Sequence, residues 1–195
     1  MNVQTISDQE LIRNYVNGNE ASLETLVKRH QRSIYTAIYM LIRDRNLADD
    51  IFQETFIKII HTLKNGNYNE EGKFLPWAAR VARNLCIDYM RKMKRDVTIT
   101  DTAGNDLFSY LSIAEEPKED AIIRHQSEQN VRDLIRLLPE EQRQVLIMRH
   151  WGNMSFKEIA DATGVSINTA LGRMRYGLTN LRRMMDKQQV KILTR

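Results

Sequence analysis

Residues 154–183 read MSFKEIADATGVSINTALGRMRYGLTNLRR, and the way this stretch divides decides the fold. Ser155 and Glu158 have the spacing of a capping box, in which serine oxygen and glutamate carboxylate each take an orphan amide at a helix start. Met154 and Ile159 stand where a hydrophobic staple closes. Phe156, Ile159, Ala160 and Thr163 then recur on one side of a helix. Gly164 suits the left-handed residue that ends it, and Ser166 caps a second helix. Two helices joined by so tight a turn make a helix-turn-helix, whose second helix is shaped for a DNA major groove.

Rotating the second helix by ~100° per residue gathers Ile167, Ala170, Leu171, Met174, Leu178 and Leu181 within about a 100° arc, the width of a buried stripe. Leu171 is thereby expected at its buried edge. Asn168, Thr169, Gly172, Arg173, Arg175, Tyr176 and Thr179 fall opposite. Arginine and asparagine match guanine and adenine edges, and threonine and tyrosine hydroxyls suit phosphates. With the cap, the predicted DNA-contacting set is Ser166, Asn168, Thr169, Gly172, Arg173, Arg175 and Tyr176. A solvated helix of an ordinary αα-hairpin has a similar pattern, so the remaining chain must decide.

The chain has 195 residues, 42% hydrophobic and 28% charged, room for one domain or two small ones with a real core. Eight glycines and three prolines leave little material for turns, which predicts an all-α protein. The net charge of +4 is modest, but its distribution is not. Arg80 to Arg95 holds six basic residues against one acid, and Ile167 to Arg195 seven against one. Between them, Asp101 to Glu128 holds seven acids and two bases. Two basic blocks around an acidic one suggest two nucleic-acid footprints and a solvated or partner-binding connector. The one cysteine, Cys86, excludes an internal disulfide and a multi-cysteine metal site and fits a reducing cytoplasm. The start, MNVQTISDQE, lacks the order of a signal peptide, and no run reaches the ~20 apolar residues of a membrane span. Membrane insertion is not expected.

Ser7 and Glu10 make another capping-box pair, ahead of a short helix ending near Gly18. A long helix should follow, with Leu23, Leu26, Val27, His30, Ile34, Ala37, Ile38 and Leu41 on one side. His30 is expected as a packed or half-exposed residue. The four histidines show no metal-ligand spacing, and no cofactor is expected. Asn46 is placed as the cap of the next helix, ADDIFQETFIKIIHTL, with Ala48, Phe52, Thr55, Phe56, Ile59 and Leu63 buried. Its other side presents Asp49, Asp50, Gln53 and Glu54. Paired carboxylates can hold a metal for phosphodiester hydrolysis, but nothing distant completes such a site. Acids also suit a helix start, and a protein-docking surface is the third reading.

Residues 64–73 carry an Asn65-Gly66 turn signal. Their G-x5-G-K run is one residue too long for a phosphate loop, and Phe74 stands where serine or threonine is needed. Pro76 is assigned to the first helical position of FLPWAARVARNLCIDYMRKMKR. Ala78, Ala79, Ala82, Leu85, Cys86, Tyr89, Met90 and Met93 share the apolar side of this helix. Trp77, Arg80, Asn84, Asp88, Arg91, Lys92 and Arg95 share the other, with Arg83 among the basic residues. Tryptophan is usually core. On a basic face it is also a stacking platform for single-stranded bases, with phosphate donors around it. Asp88 is expected to pair with Arg91 or Lys92, and Cys86 to act as a small core hydrophobe. Helical periodicity is lost from Arg95 to Pro117, apart from a short turn at LFSYL, and resumes near Glu119 with Ile123, Val131, Leu134 and Leu138. Pro139, Glu140 and Glu141 start a helix that Gly152 ends, and residues after Arg183 are expected to fray. Two small helical domains joined by a flexible acidic linker result, the C-terminal one a helix-turn-helix.

In this order the two halves resemble bacterial RNA polymerase sigma factors of the extracytoplasmic-function (ECF) group. DDIFQETFIKI resembles the helix with which that family grips the clamp of core polymerase. FLPWAARVARNLCIDYMRK resembles its minus-ten promoter-melting helix. LPEEQRQVLIMRHWGNMSFKEIADATGVSINTALGRMRYGLTNLR resembles its minus-thirty-five domain. The resemblance implies domains at 1–95 and 119–195 around a linker at 96–118, the linker threading toward the polymerase active-site cleft. It implies that Asp50, Gln53 and Glu54 dock on core RNA polymerase. Trp77, Arg80, Arg83, Asn84, Asp88, Arg91 and Lys92 would open and read the minus-ten element of promoter DNA. Ser166 to Tyr176 would read the minus-thirty-five element, and the family commonly has an inhibitory anti-sigma factor. Many relatives carry Lys or Arg where this chain has Leu171, and Arg where it has Tyr176, which implies altered promoter preference. The implied protein is a cytoplasmic initiation factor and not an enzyme. A free-standing helix-turn-helix regulator is the competing function, and it leaves Trp77 and the acidic face unexplained. A metal-dependent nuclease is the third.

Overall fold

The computed structural model describes residues 6–69, 72–96 and 129–188. They form helices joined by turns: α1 (Asp8–Val16), α2 (Glu20–Ile42), α3 (Arg45–Lys64), α4 (Phe74–Asp96), α5 (residues 129–136), α6 (Glu140–His150), α7 (Phe156–Thr163) and α8 (Ile167–Gln188). The chain divides into two compact units, one holding α1–α4 and residues 150–154, the other holding α5, α6 as far as Arg149, α7 and α8. The expected linker lies outside the described residues apart from Asp96, which ends α4. The LFSYL turn and Ile123 lie outside them too.

In the first unit α2 packs against α1, α3 and α4. Its C-terminal half is buried almost all round, at Ile34 and from Thr36 to Leu41, because three helices cover it. Local chemistry sets the helix ends. Ser7 Oγ accepts the Glu10 amide at 3.2 Å, and Asn19 Oδ1 accepts the Ser22 amide at 3.3 Å. Arg43, at φ 65°, closes α2 in the left-handed region. Asp44 Oδ1 then accepts the Leu47 amide at 2.9 Å, so Asp44 caps α3 and Asn46 is already inside the helix. Pro76 is the third residue of α4, not the first, and loses nothing there because first-turn amides have no intrahelical acceptor.

Ala48, Ile51, Thr55, Phe56, Ile59 and Leu63 are the buried side of α3. Phe52 is half-buried, its ring 4.9 Å from Phe56 and 5.6 Å from Tyr35. His30 Nε2 lies 2.7 Å from Asp8 Oδ2 and its ring 5.2 Å from that of Phe74. It is a packed histidine that ties α2 to α1. On α4 the buried residues are Phe74, Pro76, Ala78, Ala79, Ala82, Leu85 and Cys86. Burial pushes the Cys86 thiol up to about 12, so the thiolate needed for reactivity is not formed near neutral pH. Tyr89 and Met93, placed on the apolar side by periodicity, are exposed. Residues 87–93 of α4 contain no buried side chain, since the helix outruns the core that its first half covers.

In the second unit Gln144 to Met148 are buried in succession, which makes α6 the central helix. Leu134, Ile135 and Leu138 bring the α5 segment to the core. Arg143 Nη1 donates to the carbonyls of Arg136 and Leu138 at 3.4 and 3.2 Å, capping the end of α5. The expected box at α7 is complete: Ser155 Oγ accepts the Glu158 amide at 3.2 Å and Glu158 Oε2 accepts the Ser155 amide at 2.7 Å. Ile159 is fully buried. Gly164, at φ 69°, turns the chain, and Ser166 Oγ accepts the Thr169 amide at 3.1 Å to start α8.

The rotation of α8 differs from the expected one. Its buried residues are Ala170, Gly177 and Leu181, whereas Ile167, Leu171 and Leu178 are exposed. The stripe is turned by roughly 60° from the one drawn through the leucines. Gly177 is the reason. A Cβ built there would lie 3.0 Å from Leu146 Cδ1 and 3.5 Å from Gln142 Cβ, so the bare backbone sets the approach of α8 to α6. Asn180 Nδ2 donates to Gln142 Oε1 at 2.9 Å beside it. The helix also continues past Arg183 to Gln188, so the residues just after Arg183 are helical rather than frayed.

This packing separates two glycines of one helix. Gly177→Val, which adds three carbons against Leu146 and Gln142, is expected to destabilise the protein by about 1–3 kcal/mol. Gly172→Ala, where a Cβ meets nothing within 4 Å, is expected to gain about 0.5–1 kcal/mol from helix propensity. Urea unfolding followed by circular dichroism distinguishes the two.

Candidate nucleic-acid interface

Three helix faces carry the residues singled out by sequence. On α4, Trp77, Arg80, Asn84, Asp88 and Arg91 follow one another at intervals of three or four, which sets them in a line along the helix. Asn84, Asp88, Arg91 and Lys92 are exposed, and Trp77, Arg80 and Arg83 are half-buried. Trp77 packs edge-on to Tyr68 with ring centroids 4.8 Å apart and lies 5.9 Å from Phe74. It is therefore neither core nor free: aromatic neighbours hold the indole while part of it stays open to solvent. Arg83 Nη1 donates to Asn84 Oδ1 at 3.3 Å, fixing the amide. Burial, then the charge of Arg91, lowers the Arg83 pKa from its ordinary value. Arg91 Nη1 is 3.9 Å from Asp88 Oδ1, both side chains being well solvated. Of the two partners expected for Asp88, Arg91 is the observed one.

On α3, Asp50, Gln53 and Glu54 are all exposed. Asp49, the remaining acid of that patch, is engaged. Tyr35 donates to its Oδ1 at 2.8 Å, and Arg45 Nε lies 3.9 Å from Oδ2. Burial, then the bond to the Asp49 carboxylate, pushes the Tyr35 phenol up to about 12, so it stays protonated and keeps donating. Among the described residues, Glu54 makes a solvated pair with Lys58 at 3.3 Å. One residue of this face was missed by sequence: Ile57, one turn from Gln53 and Glu54, is 65% exposed. Among the described residues no group of three or more His, Cys, Asp or Glu side chains is arranged to hold a metal.

On α8, Asn168, Thr169, Arg175 and Tyr176 are exposed and Gly172 presents open backbone. Arg173 is half-buried, on the shoulder of the helix and away from the middle of the open face. Ser166 caps the helix, and its Oγ lies 2.8 Å from Thr169 Oγ1. Leu171, assigned to packing by sequence, stands with Asn168 and Arg175 on the solvent side. Treating Gly177 as a packing position would have found it.

These faces define a two-unit, all-helical chain with a basic helix in each unit and an acidic, partly apolar helix in the first. Residues 26–96 match the model of sigma-70 region 2, and residues 128–174 match that of sigma-70 region 4. The RNA polymerase sigma-H factor of Pseudomonas aeruginosa is 29% identical over 172 residues, 86% of this chain and 88% of that protein. The ECF RNA polymerase sigma factor SigW of Bacillus subtilis is 26% identical over 178 residues, 89% of this chain and 94% of that one. The fold resembles CnrH solved with the cytosolic domain of CnrY, at TM-score 0.61 and 21% identity, covering 92% of this chain and 97% of CnrH. It also resembles RpoE of Bartonella quintana, solved with the anti-sigma factor NepR, at TM-score 0.63 and 18% identity, covering 84% and 96%. The chain belongs to the sigma-70 family of RNA polymerase sigma factors, in its extracytoplasmic-function group.

Proposed function

We propose that this chain binds core RNA polymerase and directs it to promoters, with a division of labour among its three helix faces. The carrying observation is the joint presence, in one chain, of a half-open tryptophan on a basic helix and a separate helix-turn-helix. Duplex recognition alone needs only the second. In this reading residues 1–95 dock on polymerase and open the minus-ten element, residues 119–195 hold the minus-thirty-five element, and residues 96–118 connect them. Asp50, Gln53 and Glu54 are the docking residues, with Ile57 as an apolar centre among them. Trp77 stacks on an unpaired base, Asn84 and Asp88 contact base edges, and Arg80, Arg83, Arg91 and Lys92 take phosphates. On α8, Asn168 and Arg175 face bases, while Ser166, Thr169, Arg173 and Tyr176 serve the backbone and Gly172 gives room for close approach. Such a factor works in the bacterial cytoplasm and needs no catalytic residue or cofactor. No described helix is long and apolar enough to cross a membrane. An anti-sigma factor is the inhibitory partner proposed for it, supported by the RpoE–NepR complex to which the fold is similar.

Transcription from a promoter template by core polymerase, with and without the protein, tests the reading directly. New start sites are expected with the protein, and identical start sites in both reactions would end the proposal. Trp77→Ala is expected to slow promoter opening by the equivalent of ~1–3 kcal/mol, the worth of one stacked base, with initial binding little changed. Permanganate footprinting over time separates the two steps. Glu54→Arg is expected to weaken binding to core polymerase at unchanged thermal stability, as read by fluorescence anisotropy. Arg175→Ala is expected to cost ~1–3 kcal/mol at one base pair and relax preference there. Arg173→Ala is expected to weaken binding evenly across sequences, as a phosphate contact does, and binding to a panel of mutated upstream elements compares them.

A further inference from the structure

Leu171 is one of three aliphatic residues of α8, with Ile167 and Leu178, that its packing leaves exposed, and it is the one set between Asn168 and Arg175. It is 43% exposed, one turn after Asn168 and one turn before Arg175. It is the fifth residue of the helix, in the N-terminal half, where a recognition helix meets base edges. Beside it Gly172 has open space where a side chain would be, so a groove floor can come close to the leucine. Its polar neighbours suit purines, asparagine an adenine and arginine a guanine. A leucine has no donor or acceptor, and among the groups in the major groove only the thymine C5-methyl is apolar. We infer that Leu171 reads a thymine in the upstream promoter element through its methyl group, at a position between those met by Asn168 and Arg175. This rests on the proposed role of α8 in promoter binding. Leu178 is a built-in control, because it is also exposed, at 38%, but lies ~10 Å further along the helix.

The test uses the full chain bound to core RNA polymerase and a duplex library randomised across the upstream element. Retrieved sequences are expected to be enriched in thymine at one or more positions. In defined duplexes carrying the retrieved element, replacing the critical thymidine with deoxyuridine removes only the methyl and is expected to lower binding about fourfold, the worth of one buried methyl group. Leu171→Ala is expected to lose the same about fourfold on the thymidine duplex and no longer to distinguish the two duplexes. Leu178→Ala should still distinguish them, and Leu171→Arg should shift the preferred base at that position to guanine. Enrichment that Leu171→Ala retains at the other positions reports a folded unit. The inference is overturned if deoxyuridine is tolerated at every thymine position, or if Leu171→Ala still distinguishes it from thymidine. A variant that weakens polymerase binding with unchanged base preference would overturn it equally, making Leu171 a protein contact. If the wild-type holoenzyme enriches no upstream sequence, the proposed role of α8 fails with it. Enrichment with an unaltered Leu171→Ala profile removes the leucine assignment alone.

Discussion

Close approach of the two basic helices to the elements behind them, made by residues with little or no side chain, governs what each helix presents to solvent. On α8 the contact is Ala170 and Gly177, the latter with Leu146 Cδ1 3.0 Å from where its Cβ would be. On α4 it is the run Ala78, Ala79, Ala82 and Cys86. Small residues let backbones come near one another, and a helix seated on them has one rotation that fills space without overlap. The outward residues follow from that seating. Trp77, Arg80, Asn84 and Asp88 share one line because the alanines occupy the other side. Leu171 joins Asn168 and Arg175 because Gly177, and not a leucine, is at the closest contact.

Electrostatics adds direction to this geometry. The acids of α3 and the bases of α4 belong to the same unit, and Glu54 pairs with Lys58 and Asp88 with Arg91 within their own helices. Exposed pairs of that kind are worth little, and a partner of either sign displaces them at small cost. Asp49 is the contrast. Tyr35 and Arg45 engage it, so it stiffens the start of α3 while Asp50 and Glu54 stay available. Arg83 adds a half-buried guanidinium to the basic face of α4.

Much of the fold was legible in the sequence, because helix ends and apolar periodicity are local properties. The Ser155–Glu158 box, the Gly164 turn and most of the buried side of α3 follow from residues a few positions apart, with Ile51 buried where Phe52 was expected. Errors arose where tertiary contact outweighed local pattern. Asn46 is a plausible cap, but Arg43 in the left-handed region ends α2 early enough for Asp44 to serve. Tyr89 and Met93 fit the apolar stripe of α4, yet nothing buries them where the helix outruns its core. Counting apolar side chains turned α8 to its leucines, since a glycine scores nothing in such a count. The candidate site was legible as a set of faces, from charge and from one misplaced tryptophan. Its finer composition depended on neighbours that sequence spacing does not reveal: the aromatic holders of Trp77, the engagement of Asp49, and the solvent side of Leu171.

Each unit has its own buried core, one around α2 and one around α6. Trp77 rests on aromatic neighbours of its own unit and α8 on Leu146 and Gln142 of the other. For a chain that recognises two separate DNA elements, this makes the two specificities separately heritable. Under the proposed assignment of the two helices, a lineage can change what α8 accepts while α4 keeps its preference, and promoters can follow one half-site at a time. The bare backbone of Gly177 is then a fixed pivot, around which the exposed residues of α8 are free to vary.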